Sequence, residues 1–156
     1  MTRISIPVHA PDGYRAVQAL DAEVRAALDP VLVDLVYLRV SQLNGCAYCV
    51  DLHGRDLAEQ GIPWRVISAV GVWRETAWFT PVERAALRVA EELTLLDTGA
   101  VPHGVSDEAW AEAAKHLSDA ELANVVLAVG TMALFNRIGV ATKLRPAGPV
   151  PERSAE

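Results

Sequence analysis

Apolar residues at helical spacing, helix-start signals at Asp29, Thr80, Ser106 and Ser118, and almost no apolar–polar alternation predict an all-α protein. At 156 residues the chain is sized for one domain. We assign 1–145 to a single helical domain and 146–156 to a flexible tail rich in proline and charge.

The elements follow from local chemistry. A helix over 13–28 stops before Asp29-Pro30, where Asp29 can cap and Pro30 can fill the first turn of the next helix. That second helix runs to 43, apolar at Leu32, Leu35, Val36, Leu38, Val40 and Leu43, with Asp34 and Arg39 as polar exceptions. Asn44-Gly45 is a turn dipeptide, and a third helix over 46–60 ends at Gly61 and Pro63. A short helix over 63–71 leads into a loop over 72–79. Thr80-Pro81-Val82-Glu83 combines a cap, a first-turn proline and a capping-box carboxylate, opening a helix to 96 that Asp97-Thr98-Gly99 closes. Ser106 caps a helix through 116, and the capping box Ser118-Asp119-Ala120-Glu121 opens a long apolar helix over 119–138.

Composition narrows the function classes. Hydrophobic residues make up 51% of the chain, with a mean hydropathy of +0.19. That leaves apolar surface for another subunit to cover, so a homo-oligomer is expected. The net charge is −6, with 14 scattered Lys and Arg against 20 Asp and Glu, which argues against a nucleic-acid partner. Met1-Thr2-Arg3-Ile4-Ser5-Ile6-Pro7 lacks the apolar core of a signal peptide, so a cytoplasmic location is expected. The apolar run 125–135, interrupted by Gly130 and Thr131, is too short to cross a bilayer and reads as a buried helix, with no membrane partner.

The chemistry is concentrated in Asn44-Gly45-Cys46-Ala47-Tyr48-Cys49-Val50-Asp51-Leu52-His53, which holds both cysteines and one of the four histidines. On a helix that advances about 100° per residue, Cys46, Cys49 and His53 fall within an arc of roughly 60°. Cys49 and His53 are i, i+4 neighbours, and Cys46 and Cys49 are i, i+3 neighbours able to close a short disulfide. A cysteine attacks only as thiolate, and both an imidazole and a helix N-terminus favour that form.

Two duller readings compete. Zinc could take Cys46, Cys49 and His53 with a fourth ligand from His103, His116 or Asp34, but no second ligand pair of recognisable spacing accompanies them. Alternatively both cysteines are small core residues. A thioredoxin-like site lacks its βαβ surround here.

The run Asp34-Leu35-Val36-Tyr37-Leu38-Arg39-Val40-Ser41-Gln42-Leu43-Asn44-Gly45-Cys46-Ala47-Tyr48-Cys49-Val50-Asp51-Leu52-His53 resembles the core motif of the AhpD-like alkyl hydroperoxidases of the carboxymuconolactone decarboxylase superfamily. The resemblance continues through Trp73-Arg74-Glu75-Thr76, Glu83-Arg84-Ala85-Ala86-Leu87 and Asn136-Arg137-Ile138-Gly139-Val140, so it covers 28–145. It implies a helical bundle assembling as homotrimers or homohexamers, with the CxxC at a helix start. It also implies a thiol-dependent peroxidase that needs no metal, haem or other cofactor, takes a hydroperoxide as substrate and is reduced by an external dithiol, for example of lipoyl type. In this resemblance Cys49 is the peroxidatic thiol oxidised to sulfenic acid, Cys46 the proton donor and resolving thiol, and His53 the base of a proton relay. Asp34 is the candidate relay carboxylate. The chain departs from the family pattern at Asp34, where glutamate is usual, and at Gly139, where asparagine is common. A redox sensor that oxidises without turnover and a lactone decarboxylase are the alternatives, although decarboxylating members generally lack the cysteine pair.

Other residues receive structural readings. Tyr48 lines the entrance or packs on a neighbouring subunit, and Ser41 and Gln42 bond to the turn before Cys46. Trp73, Trp78 and Trp110 are core or interface anchors. Arg39 and Arg137 pair with buried carboxylates such as Glu75 or Glu83. His103 and His116 are solvated at helix ends.

Overall fold

A computed structural model describes residues 2–96, 104–146 and 148. These form an all-helical bundle without strands: α1 (Ile6–His9), α2 (Pro11–Ala27), α3 (Pro30–Leu43), α4 (Ala47–Glu59), α5 (Trp64–Ala69), a 3₁₀ segment (Val70–Glu75), α6 (Pro81–Thr94), α7 (Asp107–Ala113) and α8 (Asp119–Thr142).

The centre of the bundle is α3, which packs against α2, α4, α6, α8 and the 3₁₀ segment. It is buried nearly all round, from Leu32 to Leu38 and again at Val40 and Ser41, as its continuous apolar sequence demands. Its two sides serve two cores. Val33, Val36, Tyr37 and Val40 join α2, α6 and α8, whereas Leu35 and Leu38 join Leu57, Val70, Trp73 and Phe79. Because Asp34 lies within this helix, its carboxylate is carried into the interior.

The capping signals act as their chemistry dictates. Asp29 accepts from the N–H groups of Val31 and Leu32, Thr80 and Ser118 close capping boxes with Glu83 and Glu121, and Ser106 accepts from Ala109. Helix ends shift by a few residues elsewhere. The 3₁₀ helix Val70–Glu75 takes in 72–75, expected as the start of a loop, α7 stops at Ala113 rather than 116, and α8 runs four residues beyond 138. The helix Ile6–His9 was not signalled by periodicity, being a single turn. The Asp97-Thr98-Gly99 stop, His103 and most of the tail lie outside the described residues.

By length and composition alone, α8 is apolar enough to span a membrane. In the bundle it buries Leu122, Val125, Ala128, Val129 and Met132. Leu127 and Leu134, two turns apart, stay exposed.

Candidate active site

The expected helix start at Cys46 is displaced by one residue, and the displacement matters. The end of α3 forms a Schellman closure in which Gly45 N–H donates to Gln42 O at 3.3 Å and Cys46 N–H to Ser41 O at 3.0 Å. Gly45 supplies the required left-handed turn at φ +68°. Cys46 is therefore the extended N-cap of α4 (φ −89°, ψ 92°), not a helical residue, so the three-residue face read from the sequence holds only for Cys49 and His53. Cys46 and Cys49 form a disulfide, with Cα atoms 5.4 Å apart. Cys49, in the first turn of α4, sits among N–H groups that have no intrahelical partner, an environment that stabilises a thiolate.

Cys49 and His53 line a cavity of about 340 Å³ together with Tyr14, Arg25, Tyr48 and Phe135 among others. His53 is 2% exposed. Its Nδ1 lies 3.1 Å from Asp34 Oδ1 and 3.4 Å from Asp56 Oδ2. A carboxylate only accepts, so Nδ1 carries the proton and Nε2 is left as the basic nitrogen. That Nε2 is buried and makes no hydrogen bond among the described residues.

Asp34 is buried too, rather than a solvated surface charge. Arg25 Nη2 donates to its Oδ1 at 3.1 Å and Gln60 Nε2 to its Oδ2 at 2.6 Å. Burial pushes the Asp34 carboxyl up, but the hydrogen bonds from His53, Arg25 and Gln60 and the charge of Arg25 outweigh it, holding the group below the ordinary 3.8. Arg25 also donates to Asp21, whose other oxygen accepts from Tyr37 Oη at 2.7 Å. The Tyr37 ring meets the His53 ring edge-on at 5.1 Å. Burial and the Asp21 bond push the Tyr37 phenol far up, so it stays protonated and donates. Asp56 moves the opposite way from Asp34, raised by burial and then by the nearby Asp34 charge.

Sequence reading did not single out Asp21, Arg25, Tyr37, Asp56 or Gln60. The signals were present as spacings: Asp21 and Arg25 are i, i+4, Tyr37 is one turn from Asp34, and Asp56 and Gln60 stand three and seven residues beyond His53.

Asp34, His53 and Asp56 present donor atoms within 4.8 Å of one another. The set excludes both cysteines, and the Arg25 cation already sits on Asp34, which disfavours a divalent ion there. His116, read as a solvated histidine at a helix end and as a fourth ligand only if zinc were bound, is exposed and pairs with Glu112 at 3.2 Å.

Arg39 meets Glu91 at 2.6 Å rather than Glu75 or Glu83, because α3 faces the buried side of α6 at that level. Trp73 Nε1 also donates to Glu91, at 3.0 Å, and Arg74 pairs with the same carboxylate. Trp73 is thus a core anchor, but Trp78 and Trp110 are about half exposed and anchor nothing within the described core. Of the two residues expected to bond to the turn, Ser41 does so through Asn136, whose Nδ2 donates to Ser41 Oγ at 2.9 Å and whose Oδ1 accepts from Asn44 at 3.0 Å, whereas the Gln42 side chain accepts from Arg39 at 3.3 Å.

The carboxymuconolactone decarboxylase family matches residues 11–92. Over 146 residues, 93% of this chain and 97% of the relative, the sequence is 30% identical to YdfG of Bacillus subtilis (strain 168), an uncharacterized protein. A crystal structure from Agrobacterium tumefaciens, of a protein of unknown function described as a candidate antioxidant defence protein AhpD, is 32% identical, with a TM-score of 0.87 over 96% of this chain and all of that one. An AhpD core from Ralstonia eutropha JMP134, an uncharacterized peroxidase-related protein, is 23% identical and shares the fold, with a TM-score of 0.77 over 90% of this chain and 74% of that one.

Proposed function

The chain belongs to the carboxymuconolactone decarboxylase family, and we propose that it is a thiol-dependent peroxidase that reduces hydroperoxides through a Cys46–Cys49 dithiol/disulfide cycle. The observation that carries this reading is the shared cavity of Cys49 and His53, where Asp34 holds Nδ1 and the basic Nε2 is buried without a partner among the described residues. In the proposed cycle, His53 Nε2 accepts the Cys49 proton. The thiolate attacks the terminal peroxide oxygen, the O–O bond breaks, and the alkoxide leaves as alcohol with a proton from Cys46 or the imidazolium. Cys46 then attacks the Cys49 sulfenic acid, expelling water and closing the disulfide. An external dithiol reopens it. A deprotonated Asp34 keeps the imidazole in the productive tautomer and stabilises its cation.

The test is to trap sulfenic acid with dimedone after a single hydroperoxide addition. Labelling at Cys49 in Cys46→Ser, together with steady-state hydroperoxide consumption by the unaltered protein with a dithiol, is expected. Labelling at Cys46 in Cys49→Ser with none at Cys49 in Cys46→Ser reverses the roles. One round of oxidation that then stops in the presence of dithiol indicates a sensor. We further propose a homotrimer or homohexamer, for which the exposed Leu127 and Leu134 on α8 supply apolar surface. Light scattering on the eluting protein tests it, and a monomer at micromolar concentration overturns it.

A further inference from the structure

We propose that the dithiol reductant has its own binding site, a second opening lined by Gly45, Gly139, Val140 and Lys143, from which it attacks Cys46 Sγ rather than Cys49. This rests on the peroxidase reading above and adds where the reducing half of the cycle takes place.

The two cysteines line different cavities. Cys49 belongs to the 340 Å³ cavity with His53, whereas Cys46 belongs to one of about 210 Å³ formed by the α3–α4 turn and the end of α8. Leu144 lines both and is their common wall. The separation follows from the Gly45 turn, which takes Cys46 off the helix that carries Cys49 and His53.

Cys46 is itself only 2% exposed, so what reaches it must be slender, and three features fit the opening to a slender thiol. Gly139 packs bare backbone against the disulfide: a Cβ there would stand 2.9 Å from Cys46 Sγ and 3.7 Å from Cys49 Sγ, so any side chain would press on the sulfurs. Val140, at the mouth, is 51% exposed, giving an apolar contact for a carbon chain. Lys143, a cationic residue, also lines the opening and holds a left-handed conformation (φ 58°), the one positive φ at a non-glycine among the described residues. A cation beside the mouth favours a thiolate over a thiol.

The chemistry prefers this direction of attack. In thiol–disulfide exchange the thiol better stabilised as thiolate is the better leaving group, and of the two cysteines it is Cys49 that shares a cavity with the His53 imidazole, one turn along α4. One reductant sulfur, deprotonated, forms a bond to Cys46 Sγ. The Cys46–Cys49 bond breaks with its electron pair passing to Cys49, which takes up a proton by way of His53. The second reductant thiol, losing its proton, attacks the reductant sulfur of the mixed disulfide and expels Cys46, which is protonated. The reductant leaves as a cyclic disulfide oxidised by two electrons, and the protein holds two thiols.

The experiment starts from protein oxidised with diamide, so it reads out even if hydroperoxide is not a substrate. A brief exposure to 2-mercaptoethanol, quenched with N-ethylmaleimide and mapped by mass spectrometry, is expected to leave the mercaptoethanol adduct on Cys46 and the maleimide on Cys49. The reverse pattern overturns the proposal. Val140→Trp, filling the mouth from an exposed position, is expected to slow reduction by dithiothreitol at least tenfold, and Lys143→Gln about threefold at low salt. Reduction rates unchanged in both variants, with circular dichroism showing them folded, also overturn it. Failure of the peroxidase reading alone shows separately, as absent hydroperoxide consumption with the adduct still on Cys46.

Discussion

Asp34 Oδ1 and His53 Nδ1 lie 3.1 Å apart in the interior of the bundle, joining α3 to α4 through a carboxylate that Arg25 and Gln60 also hold. Asp34→Asn keeps the shape, removes the charge and leaves Arg25 with Asp21 as its remaining counter-ion. It is expected to slow Cys49 oxidation by roughly 10- to 100-fold, measured as the single-turnover loss of thiol. The same variant carries a stability signature. The Asp34 carboxyl titrates below its ordinary 3.8 in the folded protein, so its stabilising contribution is full above that value and fades as pH falls through the depressed one. Asp34→Asn should therefore lower the melting temperature at pH 7 and converge on the unaltered protein in strong acid.

Asp56 gives the opposite sign. Its carboxyl is raised above 3.8 by burial and by Asp34, so ionisation costs the folded state at neutral pH and costs nothing below the ordinary value. Asp56→Asn is expected to raise the melting temperature at pH 7, with the gain disappearing as pH drops below about 3.8. A thermal melt series from pH 7 to pH 3 measures it. A gain that grows toward acid contradicts the assignment.

How much of this was legible in the sequence depended on the range of the interaction. Asp29, Thr80, Ser106 and Ser118 announce helix starts because a cap bonds within three residues of itself. Cys49 and His53 could be paired because i, i+4 contacts are fixed by helix geometry alone. The one-face argument failed for Cys46 because a Schellman closure consumes the residues on either side of Gly45, and whether the chain re-enters a helix at Cys46 or Ala47 is decided by that closure. Arg25 on Asp34 and Arg39 on Glu91 were not legible, since each joins separate helices whose rotation relative to one another periodicity does not give. The burial of Asp34 follows from α3 being surrounded, a property of the assembled bundle.

Glu91 tests that buried ionic layer directly. Its carboxylate receives Arg39, Arg74 and the Trp73 indole while itself 5% exposed. Removing it by Glu91→Ala strands Arg39, and breaking one side of such a buried pair costs about 3–5 kcal/mol. Urea unfolding is expected to show that loss, with Trp73 fluorescence shifted because the indole N–H loses its acceptor. A cost below about 1 kcal/mol would mean that the cluster behaves as a surface ion pair.

Lys143 separates a binding role from a structural one. At φ 58° and ψ 44° it occupies the left-handed position that closes α8, with its N–H donating to Val140 O at 3.2 Å and the N–H of Leu144 to Gly139 O at 2.9 Å. Glycine is the residue suited to that position, since a Cβ there costs about 1–2 kcal/mol. Lys143→Gly recovers part of this and is expected to stabilise the protein by about 0.5–1 kcal/mol, raising the melting temperature by about 2 °C. If the cation guides an incoming thiolate to Cys46, the same variant reduces more slowly with dithiothreitol, and the deficit shrinks as salt screens it. Lys143→Arg, which keeps the charge on the same backbone, restores the rate without the gain in stability. A variant that becomes more stable and is reduced as fast as before leaves Lys143 with no part in the reductive step.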